Sequence, residues 1–256
     1  MRPIISEFSY GYAVTEHLIN STRLRVSAAP TFPSLREEGT EGGYDVKLDF
    51  SGMFLFIQFK LSYRMLRRTC YECREGYFSP PSFRFHLRAL RHSNQHNLLL
   101  ELERSGELVL YVAPIFFEAS ELNDFYLSGS IIANSIFISP NEIGNLPDEN
   151  EHFVSFKPGE SVYLFSEPKI IREYLEKSDS FSTMITNRFE KREKKYNPQI
   201  LQSFANQLKN IVIRNYKFDE KFRVSNLNKL EDMNPLRQIG YLSRNFFNSE
   251  FIVITR

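Results

Sequence analysis

Between Gly42 and Leu61 the chain reads GGYDVKLDFSGMFLFIQFKL, an apolar stretch with an acid near its start and Gln-x-Lys near its end. Nothing else in the sequence restricts the fold as strongly. Apolar side chains recur at the period of a β-strand, and Ser51-Gly52 is the turn signal inside the stretch, so a hairpin is expected there. An even-numbered loop centred on those residues places Asp45 directly across from Gln58, on one face of the ribbon, with Lys60 one side-chain repeat further along. The other face sets Tyr44, Val46, Leu48 and Phe50 against Leu55, Ile57, Phe59 and Leu61, a continuous apolar surface suited to lie under helices. Phe54 and Phe56 occupy the front face near the turn, and its open end gathers a carboxylate, an amide and an ammonium.

That trio suits metal-assisted hydrolysis of a phosphodiester. A carboxylate and carbonyl oxygens are hard ligands for Mg²⁺, which keeps several waters and lowers the pKa of one of them. The backbone carbonyl of Phe59 is a natural further ligand. A lysine beside the ion orients the attacking water and offsets charge developing on the phosphorane oxygens.

The spacing Gly-x-Asp followed by Gln-x-Lys on an adjacent strand resembles the PD-(D/E)xK nuclease superfamily, and the glutamine variant resembles its Mrr-type restriction endonucleases. The resemblance implies an α/β fold with a restriction-endonuclease-like core, a central mixed β-sheet flanked by helices. By the same resemblance Asp45 is the metal-binding aspartate, Gln58 the second motif position and Lys60 the catalytic lysine. The first helix of such folds supplies a further carboxylate, for which Glu16 is the candidate and Glu7 the reserve. The implied cofactor is Mg²⁺ or Mn²⁺, held by Asp45, Gln58, the Phe59 carbonyl and Glu16, and the implied substrate is DNA or RNA, in restriction or phage defence. Three features depart from the pattern: the family's proline is absent, with Gly43 where Mrr-like members place a glycine; Gln58 replaces an acid; and a strand at 83–88 separates the motif from the next helix. The missing acid keeps open a second reading, a non-catalytic binding or assembly module on a nuclease-like scaffold.

The rest of the chain fits around this hairpin. Ser6 is placed to cap a helix over 6–20, with Phe8, Tyr12, Leu18 and Ile19 as its apolar stripe, and 28–43 is turn-rich. Phe83, Phe85 and Leu87 alternate with polar residues as in a half-buried strand; NQHNLLLELER after Ser93 has helical composition, and LVLYV ends at Pro114 as a strand. A helix near 119–127 and strands at 131–138, 152–156 and 161–165 follow. From Pro168 the pattern turns helical and charged, including IIREYLEK, RFEKREKKY and a helix opening at Pro198, before SEFIVITR returns as a strand. The expected division is therefore a nuclease core over 1–167 and a mainly helical extension over 168–256, for recognition, dimerisation or docking of a partner subunit through the apolar stripe of 169–216.

With 32 basic and 31 acidic residues in 256, no global field draws the chain to a polyanion, so any such site is a local patch. Arg64, Arg67, Arg68 and Arg74 follow Lys60 closely, and Arg84, Arg88 and Arg91 lie a little beyond; this excess suits a phosphate backbone. The N-terminus lacks a secretory pattern and no run reaches the ~18 apolar residues that span a bilayer, so a soluble cytoplasmic protein without a membrane partner is expected. Cys70 and Cys73 have the spacing of half a zinc site, which His86, His92 or His96 would have to complete, and are expected to be ordinary thiols. Glycine-rich phosphate loops, G-x-S-x-G and HExxH are absent, which removes P-loop NTPases, common serine hydrolases and zincins.

Overall fold

The computed structural model describes residues 1–21, 25–26, 50–165, 168–173, 180–217 and 219–255. Along the chain come α1 (Glu7–Ser21), β1 (Arg25–Val26), β2 (Phe50–Phe59), β3 (Tyr63–Met65), α2 (Tyr71–Arg74), β4 (Ser82–Leu87), α3 (Gln95–Arg104) and β5 (Leu108–Pro114). There follow α4 (Ala119–Leu127), β6 (Ser135–Ile138), α5 (Pro140–Ile143), β7 (His152–Phe156), β8 (Val162–Phe165) and β9 (Lys169–Arg172). The last stretch holds α6 (Ser180–Arg192), β10 (Lys194–Tyr196), α7 (Pro198–Asn215), α8 (Glu220–Asn228), α9 (Pro235–Leu242), a π-helical turn (Ser243–Phe247) and β11 (Glu250–Thr255).

These elements form an α/β fold around a mixed sheet in the order β1-β11-β2-β5-β6, with β10 also paired to the start of β2. β2 runs parallel to β5 and antiparallel to β10 and β11. A second sheet, β3-β4-β7-β8-β9, is antiparallel throughout. The parallel β2–β5 pair needs a long crossover, and α3 lies within it, as parallel pairing requires. Both faces of β2 are covered, which explains its nearly unbroken apolar run. Met53, Leu55, Ile57 and Phe59 join Tyr10, Ala13, Val14 and Leu18 of α1 and Phe189 of α6 in one cluster. Phe54 and Phe56 join Leu98 and Leu102 of α3, Phe204 and Leu208 of α7, and Phe83 and Phe85 of β4 in the other.

The hairpin expected at Ser51-Gly52 does not form. Both residues lie inside β2, where Ser51 pairs with Lys195 and Gly52 with Lys194 and Thr255. The glycine serves close strand packing instead: a Cβ at Gly52 would sit 2.5 Å from the Ile254 carbonyl oxygen. Phe50 and Met53, which a fold-back would set face to face, lie three residues apart in one continuous strand, so the register that put Asp45 across from Gln58 has no basis. Asp45 itself, the metal-binding aspartate of the expectation, lies outside the described residues, as does the 28–43 loop.

Other expectations shift for reasons of packing. Ser6 does cap α1, its hydroxyl accepting the Ser9 N–H at 2.9 Å. The stripe of α1 is rotated, however: Tyr10, Ala13, Val14 and Leu18 face the core, while Phe8, Tyr12 and Ile19 are exposed. Ile170–Arg172 belong to β9, not a helix, and Ile132–Asn134 form a 3₁₀ turn ahead of β6. The segment from 168 is no appendage to the core. Its β10 and β11 enter the central sheet, and Leu201, Phe204, Leu208 and Ile211 of α7 pack in the same cluster as Phe54, so the expected docking stripe is spent inside the fold. Among the described residues no helix is long and apolar enough to cross a membrane.

Because the obstructing atom at Gly52 is backbone, the neighbouring strand must give way to any side chain. Gly52→Ala is expected to cost about 1–3 kcal/mol in urea unfolding; an unchanged midpoint would mean that β11 does not approach β2 this closely.

Candidate functional site

Gln58 and Lys60 sit where β2 ends, on the face that carries Phe54 and Phe56, as alternation along the strand dictates. Gln58 pairs in register with Tyr111 of β5, and the ladder continues one step as Lys60 N–H donates to the Val112 carbonyl at 2.9 Å. Both side chains are buried, Gln58 at 3% and Lys60 at 8% exposure.

A buried amide must find partners, and Gln58 finds them within the protein. Its Nε2 donates to the Phe59 carbonyl at 2.9 Å, and its Oε1 accepts from Gln95 Nε2 at the start of α3. Gln95 also donates to the Phe247 carbonyl at 3.1 Å, which ties β2, α3 and the π-helical turn together. His96 beside it donates from Nε2 to the Gly144 carbonyl at 2.7 Å and accepts the Tyr111 hydroxyl at Nδ1, 3.0 Å away. This tautomer leaves the imidazole neutral, and burial pulls its pKa down to about 4. Burial also pushes the Tyr111 phenol up, so the Tyr111–His96 pair holds no charge near neutral pH.

Lys60 is the exception in this neutral interior. Its Nζ stands 5.8 Å from the centre of the Tyr111 ring, and among the described residues the ammonium has no ion pair or hydrogen bond. Burial lowers its pKa from 10.5 to about 8, against the pull of the Glu7 carboxylate and with the push of Arg88.

Next to these residues opens a crevice of about 210 Å³ between α1, the end of β2 and the start of β11. Glu7, Phe8 and Gly11 form one wall, the backbone around Gln58 the floor, and Arg244, Asn248 and Glu250 the other wall. Gly11 lets α1 come this close, since a Cβ there would lie 2.9 Å from the Phe59 ring. The volume falls below the roughly 300–1,000 Å³ of small-molecule pockets, so the crevice suits an ion, waters or one group of a larger substrate. Glu250 pairs in register with Ile57, on the flank of β2 where the strand bearing Asp45 was expected, and forms an ion pair with Arg244.

The carboxylate of α1 at this site is Glu7, not Glu16. Nine residues separate them, about 13 Å along the helix, and Glu16 accepts a hydrogen bond from Asn20 instead. The metal ligands inferred from the sequence fare unevenly. The Gln58 oxygen is taken by Gln95, and the Phe59 carbonyl keeps one lone pair beside the Gln58 amide. Among the described residues no three of His, Cys, Asp and Glu gather closely enough to hold a metal ion. Glu7 and the Phe59 carbonyl are hard oxygen donors, but they do not complete a site for Mg²⁺ or Mn²⁺ by themselves.

Of the arginines assigned to nucleic acid, two are committed to the fold. Arg84 pairs with the buried Glu72 at 3.0 Å and lies over Phe153, and Arg64 lies over Phe117, 3.8 Å from Glu121. Arg67, Arg68 and Arg88 are exposed without an ion pair among the described residues. Cys70 and Cys73 are free thiols, and burial together with Cys70 raises Cys73 to about 11, opposite to the shift of a reactive or metal-bound thiol. Arg244 and Glu250 went unnoticed because nothing local to SEFIVITR says which strand it joins. Glu7, the reserve for the helix carboxylate, lies in the first turn of α1, at the end of the helix that borders the crevice.

The lowered pKa of Lys60 has a stability consequence. The fold prefers the neutral amine, so the penalty is full below pH 8 and fades as pH rises towards 10.5, where the unfolded chain also loses its proton. Lys60→Met is expected to stabilise the protein by about 3 kcal/mol at neutral pH, read as a higher urea midpoint; a loss of stability would mean that the ammonium is compensated. No protein-family model, no curated protein and no solved structure matches this chain.

Proposed function

We propose that the crevice beside Lys60 is the catalytic centre of a metal-dependent nuclease that hydrolyses phosphodiester bonds of DNA, in a restriction or phage-defence setting. The observation that carries this reading is the Lys60 ammonium: a buried cation that makes no ion pair or hydrogen bond among the described residues, offset only in part by the Glu7 carboxylate, costs stability, and function is the physical reason to keep one. It stands at the end of the central strand directly after Phe59, which lines the crevice, with its Nζ over the Tyr111 ring.

The residues divide the work as follows. Lys60 binds a non-bridging phosphate oxygen and offsets the charge that grows there as water attacks phosphorus and the P–O bond to the leaving group breaks. Glu7 accepts a hydrogen bond from the attacking water and orients it. Gln58 does not touch substrate; its bonds to Gln95 and Phe59 hold the end of β2 in place. Exposed Arg67, Arg68 and Arg88 supply phosphate contacts outside the crevice. The Mg²⁺ or Mn²⁺ that this chemistry takes in the resembling family would supply the activated water, and Asp45 is the residue its binding calls for beyond Glu7 and the Phe59 carbonyl.

A second reading is favoured by one observation. The Gln58 oxygen, at the second motif position, is consumed by Gln95 and so is not offered to a metal, which suits nucleic-acid binding or assembly without turnover.

Incubation of the protein with supercoiled plasmid and Mg²⁺ or Mn²⁺ tests both. Cutting is expected, slowed about a hundredfold or more in Lys60→Ala, and falling in the native protein as pH rises through about 8 and Lys60 loses its charge. Equal cutting by native protein and variant would remove Lys60 from the chemistry. Retention of DNA in a gel shift with no cutting under either metal would establish the binding module in its place.

A further inference from the structure

We infer that α1 and α4 together form a docking ridge for a basic, amphipathic helix of a partner protein. The two helices lie side by side, with the Tyr12 and Tyr126 rings 6.4 Å apart. Their outer faces are apolar to an unusual degree. On α1 Phe8 is 62% exposed and Tyr12 51%, and on α4 Tyr126 is 37% and Leu127 75% exposed. No residue of α4 is buried, although Leu122 and Phe125 rest against the core. Exposed apolar side chains on two adjoining helices, joined at Tyr12 and Tyr126, mark an interaction site.

The charge around it selects the partner. Glu7, Glu16, Glu118, Glu121 and Asp124 lie on these two helices or at the cap of α4, and neither 7–21 nor 118–127 contains a Lys or Arg, in a chain whose basic and acidic residues number 32 and 31. Arg64 approaches from outside to 3.8 Å from Glu121, which also accepts the Phe117 and Glu118 N–H groups, so that carboxylate is partly neutralised. The others face solvent or a neighbouring amide or hydroxyl. Phosphates would be repelled from this face. A second copy meeting it through a two-fold axis would set acids against acids. An amphipathic helix with lysines beside an apolar stripe satisfies both the apolar area and the charge, in the helix-on-groove manner. Tyr12, Tyr126 and Leu127 lie outside the crevice, whereas Glu7 and Phe8 also line it.

The test uses the full chain and a fluorescein-labelled helical peptide built of Leu and Lys, with a Leu–Glu peptide of the same pattern as control, read by anisotropy. The Leu–Lys peptide is expected to bind the native protein, about tenfold more weakly to Leu127→Asp and to Tyr12→Asp, and unchanged to Ile170→Asp, which alters an exposed apolar residue on β9. Leu127 and Tyr12 are exposed, so neither change endangers the fold. Equal affinity across the variants, or equal binding of the Leu–Glu peptide, would overturn the assignment. So would light scattering that shows a dimer dissociated by Leu127→Asp, since a second copy would then be the occupant. Loss of plasmid cutting in Lys60→Ala alongside unchanged peptide binding would leave each conclusion standing on its own.

Discussion

The constraint on which this structure rests is that β2 has no free side. β5 pairs along one edge, β11 along the other, and helices cover both faces. Every polar group on such a strand must be satisfied within the protein or reach out at its end. Gln58 does the first, through Gln95 and the Phe59 carbonyl. Lys60 does neither completely, and it stands out for that reason.

Around that strand the polar groups are sorted by charge. The interior next to Lys60 is held neutral by the Tyr111–His96–Gly144 chain, whose two titratable members are both pushed away from ionising. In this setting the carboxylate that offsets the charge of the lysine is that of Glu7, whose pull acts against the effect of burial. The acidic outer face of α1 and α4 lies on the far side of the helix from the core-facing Tyr10 and Val14, so one helix separates two electrostatic environments. Glu7, at its first turn, belongs to the crevice and to the edge of the ridge at once.

Much of the architecture was legible. The alternation in 83–87, the composition of 95–104, the short run LVLYV, the cap and Pro198 of α7 and the terminal strand are local signals, and each element formed close to its expected place. The front-face placement of Gln58 and Lys60 follows from strand periodicity and survives the loss of the hairpin. Ser51-Gly52 misled because a glycine that permits a turn and one that permits a close neighbour look the same in one dimension; the Ile254 carbonyl that settles the matter lies two hundred residues away. The stripe of α1 misled because Phe8, Tyr12 and Ile19 and the buried Tyr10, Val14 and Leu18 both recur at helical spacing, and periodicity does not say which stripe meets the sheet.

The sequence by itself determined a strand at 53–59 too apolar to be exposed, and that an amide and a lysine lie at its end on one face. Both follow from the two-residue period of a strand and from the cost of leaving such a surface in water. Only the tertiary structure decided what surrounds them: that β11 takes the flank expected for another strand, that Gln95 claims the amide, that Glu7 is the carboxylate near the lysine, and that the segment after 168 closes the core. Those are long-range pairings, and they depend on which surfaces meet in space, which local propensity does not encode.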